Sequence, residues 1–255
     1  MKKNFNSEIY FTPKQAAKCF NLSLSTIKNY IYAGELKTLK TPGGHHRIRK
    51  SELLATLGDA VSEGPDDNEF FLIFNLCNAM LAVFKTFGPI GNSLIIHAKN
   101  CSVLSRSIAH AMAIKETDAR RIEAAGLIHD IGHLATERHI LLKREKLTSR
   151  EYEFVKAHPK TGEEMLSVVN ELKDIADIVL QHHEWIDGSG YPKGLKGGNI
   201  HNASRIIAVA EAYDSMTSPY SYKEPVSKDA AISELIKYKG SQFDGDIVEV
   251  FIKII

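Results

Sequence analysis

Apolar residues recur at helical spacing along most of the chain. Ala109, Met112 and Ala113, then Ile122, Ala125, Leu127 and Ile128, then Ile175, Ile178 and Val179 follow this pattern. Few stretches alternate as half-buried strands do, so an all-α bundle is expected from about Phe70 to the end. At its start, Leu72, Leu76, Met80, Val83 and Phe87 share roughly one helical side. This predicts a core helix, with a homodimer helix as the alternative. The most apolar part, Phe70 to Phe84, is interrupted by Asn75 and Asn78 and is too short to cross a bilayer as a helix. Two N-terminal lysines precede no apolar run of signal-peptide length. A cytoplasmic protein without a membrane partner is expected.

The first 57 residues follow a different pattern. Thr12 can cap a helix that opens at Pro13 and runs through Ala16, Ala17 and Phe20 to a break at Asn21. Ser23 or Ser25 can cap a second helix, Thr26 to Ala33, ending at Gly34. Two short helices around a tight polar turn have helix-turn-helix dimensions. Pro42, Gly43 and Gly44 then supply a turn between Leu39 and Ile48, as in a two-stranded wing, and Ser51 starts a last helix. Residues 58–69, GDAVSEGPDDNE, cannot hold a core and read as a linker. The predicted domains are therefore 1–57 and 70–255.

Composition changes this picture in two ways. A chain that is 44% hydrophobic and 25% charged is globular rather than disordered or fibrous. Its formal charge of +1 hides an asymmetry: residues 1–57 carry ten Lys and Arg against three acids, a net of +7, which leaves −6 for the remainder. The basic end is a candidate polyanion reader. Three cysteines without a CxxC spacing indicate neither a disulfide framework nor a thiolate zinc site.

The FTPKQAAK opening, the STIKNYIYAGEL helix and the TPGGHHRI wing together resemble the winged helix-turn-helix of MerR-type and excisionase-type regulators, over about residues 8–57. The resemblance implies that double-stranded DNA is a partner. Ser25, Thr26, Lys28, Asn29 and Tyr30 would face the major groove, with Lys40, His45, His46, Arg47 and Arg49 on or near the wing. Lysine and arginine there neutralise phosphates, whereas Lys28 and Asn29 reach base edges.

Eleven histidines are many for this length, and their placement says more than their number. His97 lies in a helical run, His129 and Asp130 are adjacent in LIHDIGH, His158 lies in KAHPKTG, His182 and His183 are paired in LQHHEWIDGSGYP, and Glu211 follows in RIIAVAEAYD. Imidazoles and carboxylates without thiolates suit iron or manganese, and zinc less distinctively. An adjacent His-Asp pair can serve two ions, with Asp130 bridging them. Two divalent ions about 3.5–4 Å apart activate water near neutral pH and stabilise charge on a scissile phosphate.

These segments, in this order and at these separations, resemble the HD-GYP phosphodiesterases, a subgroup of the HD metal-dependent phosphohydrolases, over about residues 90–255. The expected fold is mainly α, a small winged helix-turn-helix domain followed by an HD-GYP-type helical bundle. The resemblance implies hydrolysis of cyclic di-GMP at a bi- or trinuclear centre. It also implies metal ligands at His97, His129, Asp130, His158, His182, His183 and Glu211. The glycine-rich loop, with Gly190, Tyr191, Pro192 and Lys193, would approach the nucleotide and is linked in the family to contacts with GGDEF-domain proteins.

Several positions depart from the family pattern. His133 stands where a lysine is usual, and this imidazole can donate a proton, ligate an ion or fill space. Glu211 replaces an aspartate. Ser93 takes the place of a glutamate that holds a third ion in some members, so two ions are expected. The segment ERHIL, Glu137 to Leu141, is altered from PDSIL. In PYSYK, Lys223 alone keeps a charge, beside Tyr220 and Tyr222. His110, His139 and His201 match no motif position. The expected function is a DNA-linked cyclic di-GMP phosphodiesterase with Asp130 and His133 at its catalytic centre. The alternative is a transcription regulator that senses cyclic di-GMP or metal without turnover.

Overall fold

The computed structural model describes residues 10–19, 24–41, 43–57, 65–143, 145–219 and 224–255. They divide into two compact units, 1–68 and 69–255.

In the first unit, α1 (Pro13–Cys19), α2 (Leu24–Tyr32) and α3 (Lys50–Leu57) accompany three short strands, β1 (Tyr10–Phe11), β2 (Leu39–Lys40) and β3 (His46–Arg49). Thr12 caps α1 as expected: its Oγ1 accepts from Gln15 N at 3.2 Å, while Gln15 Oε1 accepts from Thr12 N at 2.9 Å. Ser25 lies inside α2 and so does not cap it, and α3 starts one residue before Ser51. The wing hairpin pairs Leu39 with Arg47 and Lys40 with His46. This two-stranded wing is as expected, and the sheet gains a third strand, because β1 pairs antiparallel on the other edge of β3, Tyr10 against Arg49 and Phe11 against Ile48. Ala16, Ala17, Ile27, Leu36, Ile48 and Leu53 form a small core. Phe20, Asn21, Ser23 and Pro42 fall outside the described residues.

Of the residues 58–69 read as a linker, 58–64 are likewise outside the description, and those from Pro65 onward are helical. Pro65 at the first position and Asp66 and Asp67 behind it favour a helix N-terminus. This helix, α4 (Pro65–Leu81), passes into a 3₁₀ segment, Ala82–Phe87. The apolar stretch thus extends to Phe87, and by length and composition alone it reaches the 18 residues that can cross a membrane. Its buried side only partly matches the expected one, of which Leu76, Met80 and Phe87 pack against the core. Ile73, Cys77, Leu81 and Phe84 enter the core, whereas Leu72 and Val83 are 57% and 47% exposed.

The second unit is helical as expected. After α5 (Pro89–Ala111) and α6 (Glu116–Ile128) come a 3₁₀ turn (Ile131–Ala135), α7 (Arg138–Leu141), α8 (Ser149–Lys156), α9 (His158–Ser167), α10 (Lys173–Leu180), α11 (Asn202–Thr217), α12 (Lys228–Lys237) and α13 (Gly245–Ile254). Ile122, Ala125, Leu127 and Ile128 of α6 and Ile175, Ile178 and Val179 of α10 are buried in one core. Met112 and Ala113 lie past the end of α5, where Ala113 turns the chain at φ +54°.

Candidate metal centre

Most of the candidate donors sit at helix ends, where the main chain fixes their position. His129 and Asp130 follow α6, His158 opens α9, and His182 and His183 follow α10. His97 projects from within α5, Glu211 from within α11. Gly132 permits the close approach that joins two of these ends, since a Cβ there would fall 2.0 Å from the carbonyl oxygen of His158.

Three imidazoles are oriented alike. Nδ1 of His129 lies 2.9 Å from the carbonyl oxygen of Gly126, Nδ1 of His158 lies 2.8 Å from that of Val155, and Nδ1 of His182 bonds that of Val179. A carbonyl oxygen only accepts, so each Nδ1 carries the hydrogen and each Nε2 presents a bare lone pair. Nε2 of His158 and His182 face each other at 3.1 Å without a hydrogen to share, and buried Nε2 of His129 has no hydrogen-bond partner among the described residues. A cation satisfies all three. The residues therefore fit the metal their chemistry implies.

Asp130 stands in the middle with its two oxygens divided. Oδ2 faces His129 Nε2 at 3.5 Å and His97 Nε2 at 3.9 Å, and Oδ1 faces His158 Nε2 at 3.3 Å and His133 Nε2 at 3.7 Å. Glu211 Oε1 lies 3.7 Å from His183 Nε2. All seven expected ligands are thus brought together, with His133 beside them.

Burial sets the charge states. It lowers the pKa of His129, His133, His182 and His183, and takes His158 down to about 3. Burial would raise Asp130, but the surrounding His129, His133, His158 and His97 outweigh it and hold the carboxylate well below its ordinary range. Glu211 is pushed up to about 8 by burial and by the negative charge of Asp130. On His97, burial opposes a charge, yet Cys101, Asp214 and Asp130 together hold its pKa well above that of free imidazole.

The sequence reading missed two carboxylates. Asp214 Oδ2 lies 2.7 Å from His97 Nδ1, and its Oδ1 accepts from Asn100 Nδ2 at 2.8 Å, so it turns His97 Nε2 toward Asp130. Its place one helical turn after Glu211 was the available signal. Buried Glu184 accepts from the backbone N–H of Lys193 at 2.6 Å and of Leu195 at 2.8 Å, tying down the glycine-rich loop. In that loop Gly190 is required, because a Cβ would meet Trp185 N at 2.2 Å, and Tyr191 stacks on His183 at 4.8 Å.

These groups open on a cavity of about 980 Å³, lined among others by Ser93, Lys143, Lys146, Tyr152, Trp185 and Tyr191. Pro192 and Lys193 are exposed outside that lining, and Tyr220, Tyr222 and Lys223 fall outside the described residues. The unassigned histidines have other partners: His201 caps α11, His110 meets Glu116 and His139 meets Glu137.

In the first unit, Ser25, Thr26, Lys28, Asn29 and Tyr30 lie on α2, with Lys28 exposed and Tyr30 packed against the core. Lys40, His45 and Arg49 are exposed on the hairpin, whereas His46 and Arg47 are half-buried, His46 Nδ1 lying 2.6 Å from Thr38 Oγ1.

Residues 90–247 match the HD domain family, and residues 10–57 match a helix-turn-helix domain. The chain belongs to the HD domain family. Its HD domain is similar to that of curated relatives. The cyclic di-GMP phosphodiesterase of Thermotoga maritima is 38% identical over 62% of this chain and 44% of the relative. The cyclic di-GMP phosphodiesterase response regulator RpfG of Xanthomonas campestris pv. campestris is 40% identical over 57% and 39%. The 3'3'-cGAMP-specific phosphodiesterase 2 of Vibrio cholerae is 32% identical over 71% and 34%. The chain thus spans less than half the length of each. The fold is similar to that of a HDG"Y"P protein from Bdellovibrio bacteriovorus, with a TM-score of 0.57 at 16% identity, covering 85% of this chain and 84% of that one.

Proposed function

We propose that this chain is a metal-dependent phosphodiesterase that opens cyclic di-GMP at a centre of two divalent ions, iron or manganese, and that its first unit binds double-stranded DNA. The observation that carries the reading is the convergence of bare imidazole Nε2 atoms around the divided carboxylate of Asp130. His97 and His129 would hold one ion and His158, His182 and His183 the other, with the carboxylate of Asp130 between the two groups and Glu211 approaching from α11. Bound there, the ions supply Lewis acidity toward the phosphate and water activated near neutral pH.

The remaining residues receive the nucleotide. The cavity offers the aromatic faces of Tyr152, Trp185 and Tyr191 for bases and the exposed ammonium of Lys146 for a phosphate. Gly190 lets the loop lie close to His183, and Glu184 holds that loop by its backbone. The relatives include enzymes named for cyclic di-GMP and for 3'3'-cGAMP.

A second reading, a sensor that binds without turnover, is favoured by His133, a buried imidazole where fixed positive charge would assist the phosphate. Full-length protein loaded anaerobically with iron or manganese separates the two. Trp185, the only tryptophan, reports ligand binding by its fluorescence while product is followed by chromatography. Linear product from wild type, abolished in His129→Ala/Asp130→Ala, is expected for the enzyme, with 3'3'-cGAMP as the competing substrate. A fluorescence change without product assigns the sensor.

A further inference from the structure

His133 lines the cavity beside Asp130 and His158. Its Nε2 is aimed at Asp130 Oδ1, 3.7 Å away, and makes no hydrogen bond among the described residues. Its Nδ1 lies 3.1 Å from Thr136 Oγ1, which can accept the Nδ1 hydrogen and leave Nε2 free to coordinate. The ring stacks on that of His158, with centroids 4.1 Å apart and planes within 26°.

Coordination geometry makes this arrangement meaningful. An ion with bonds of about 2.0–2.2 Å keeps neighbouring donors about 3.0–3.5 Å apart. Asp130 Oδ1 and His158 Nε2 lie 3.3 Å apart, inside that range, and His133 Nε2, at 3.7 Å from the same oxygen, lies just beyond it, a few tenths of an ångström of side-chain movement away. The donor atoms of Asp130, His133 and His158 all lie within 4.8 Å of one another. Gly132 forces the parallel approach, since only a residue without Cβ lets this turn meet the start of α9.

We propose that His133 is itself a ligand, an additional imidazole for the ion shared by Asp130 Oδ1 and His158. The proposal rests on the metal-centre reading and adds to it one donor whose neighbours His158, Asp130 and Thr136 are already in place. Its consequence is a half-site richer in nitrogen, which retains its ion more firmly and leaves fewer positions for water.

The test uses the full chain, made metal-free and titrated with Co²⁺ alone. Elemental analysis gives the stoichiometry, and paramagnetically shifted imidazole N–H resonances report each ligating histidine. His133→Phe keeps a ring to stack on His158 and removes the donor, while His133→Ala leaves a space that added imidazole can fill. Expected are two ions per wild-type chain, at least about tenfold weaker binding of one of them in either variant, one shifted N–H fewer in His133→Phe, and recovery of affinity in His133→Ala with imidazole. Wild-type stoichiometry, affinity and resonance count in His133→Phe overturn the assignment while leaving the centre intact. A wild-type chain that holds no Co²⁺ overturns the centre and this ligand together.

Discussion

Each imidazole at this site is governed by what holds its far nitrogen. For His129, His158 and His182 the holder is a backbone carbonyl, but for His97 it is the carboxylate of Asp214. Asp214→Asn keeps the shape and loses the charge, so Mn²⁺ affinity is expected to fall about 10- to 100-fold with an unchanged circular dichroism spectrum. A second expectation concerns protons. Glu211, with its pKa raised to about 8, carries a proton at pH 7 that ion uptake displaces, whereas the imidazoles lowered by burial release none. Apparent Mn²⁺ affinity should therefore rise with pH between 6 and 8, and Glu211→Gln should lower that slope by one proton, measurable by calorimetry in buffers of different ionisation enthalpy. The seven candidate ligands stood out as a set because each travels in a short, distinctive segment. Asp214 was not, because its partner lies 117 positions away and neither residue alone marks the pair.

At the level of elements, the centre depends on two helix ends meeting at Gly132. Gly132→Ala would place a methyl group against the His158 carbonyl, and a loss of about 1–3 kcal/mol in urea unfolding is expected, accompanied by sub-stoichiometric metal. Periodicity located α6 and α10, whose Ile122, Ala125, Leu127, Ile128, Ile175, Ile178 and Val179 all enter the core. It misjudged α4 because Phe70, Phe71, Leu72, Ile73 and Phe74 are consecutive and apolar, so spacing does not single out the buried side. Strand β1 left no trace in the pattern, as two residues are too few to alternate.

Across the whole molecule, residues 1–57 carry a net charge of +7 and the remainder −6. DNA retention by the full chain should fall linearly in log affinity with log salt, and Lys28→Ala with Arg47→Ala should reduce the slope by about 0.9 for each phosphate contact removed. An unchanged slope in gel-shift titrations would remove α2 and the hairpin as the binding surface. Charge and a polar stretch suggested two domains, and the chain divides at 68/69; the end of that stretch, from Pro65, is helical, since Pro65 and the acids after it suit a helix start as well as a linker.

The carbonyl tethers on His129, His158 and His182 have one more implication. Because the main chain aims these rings, wall residues such as Lys146 and Tyr152, which tether none of the three, can be exchanged without turning them. Such a scaffold would let the walls change while these three rings stay where the peptide backbone places them.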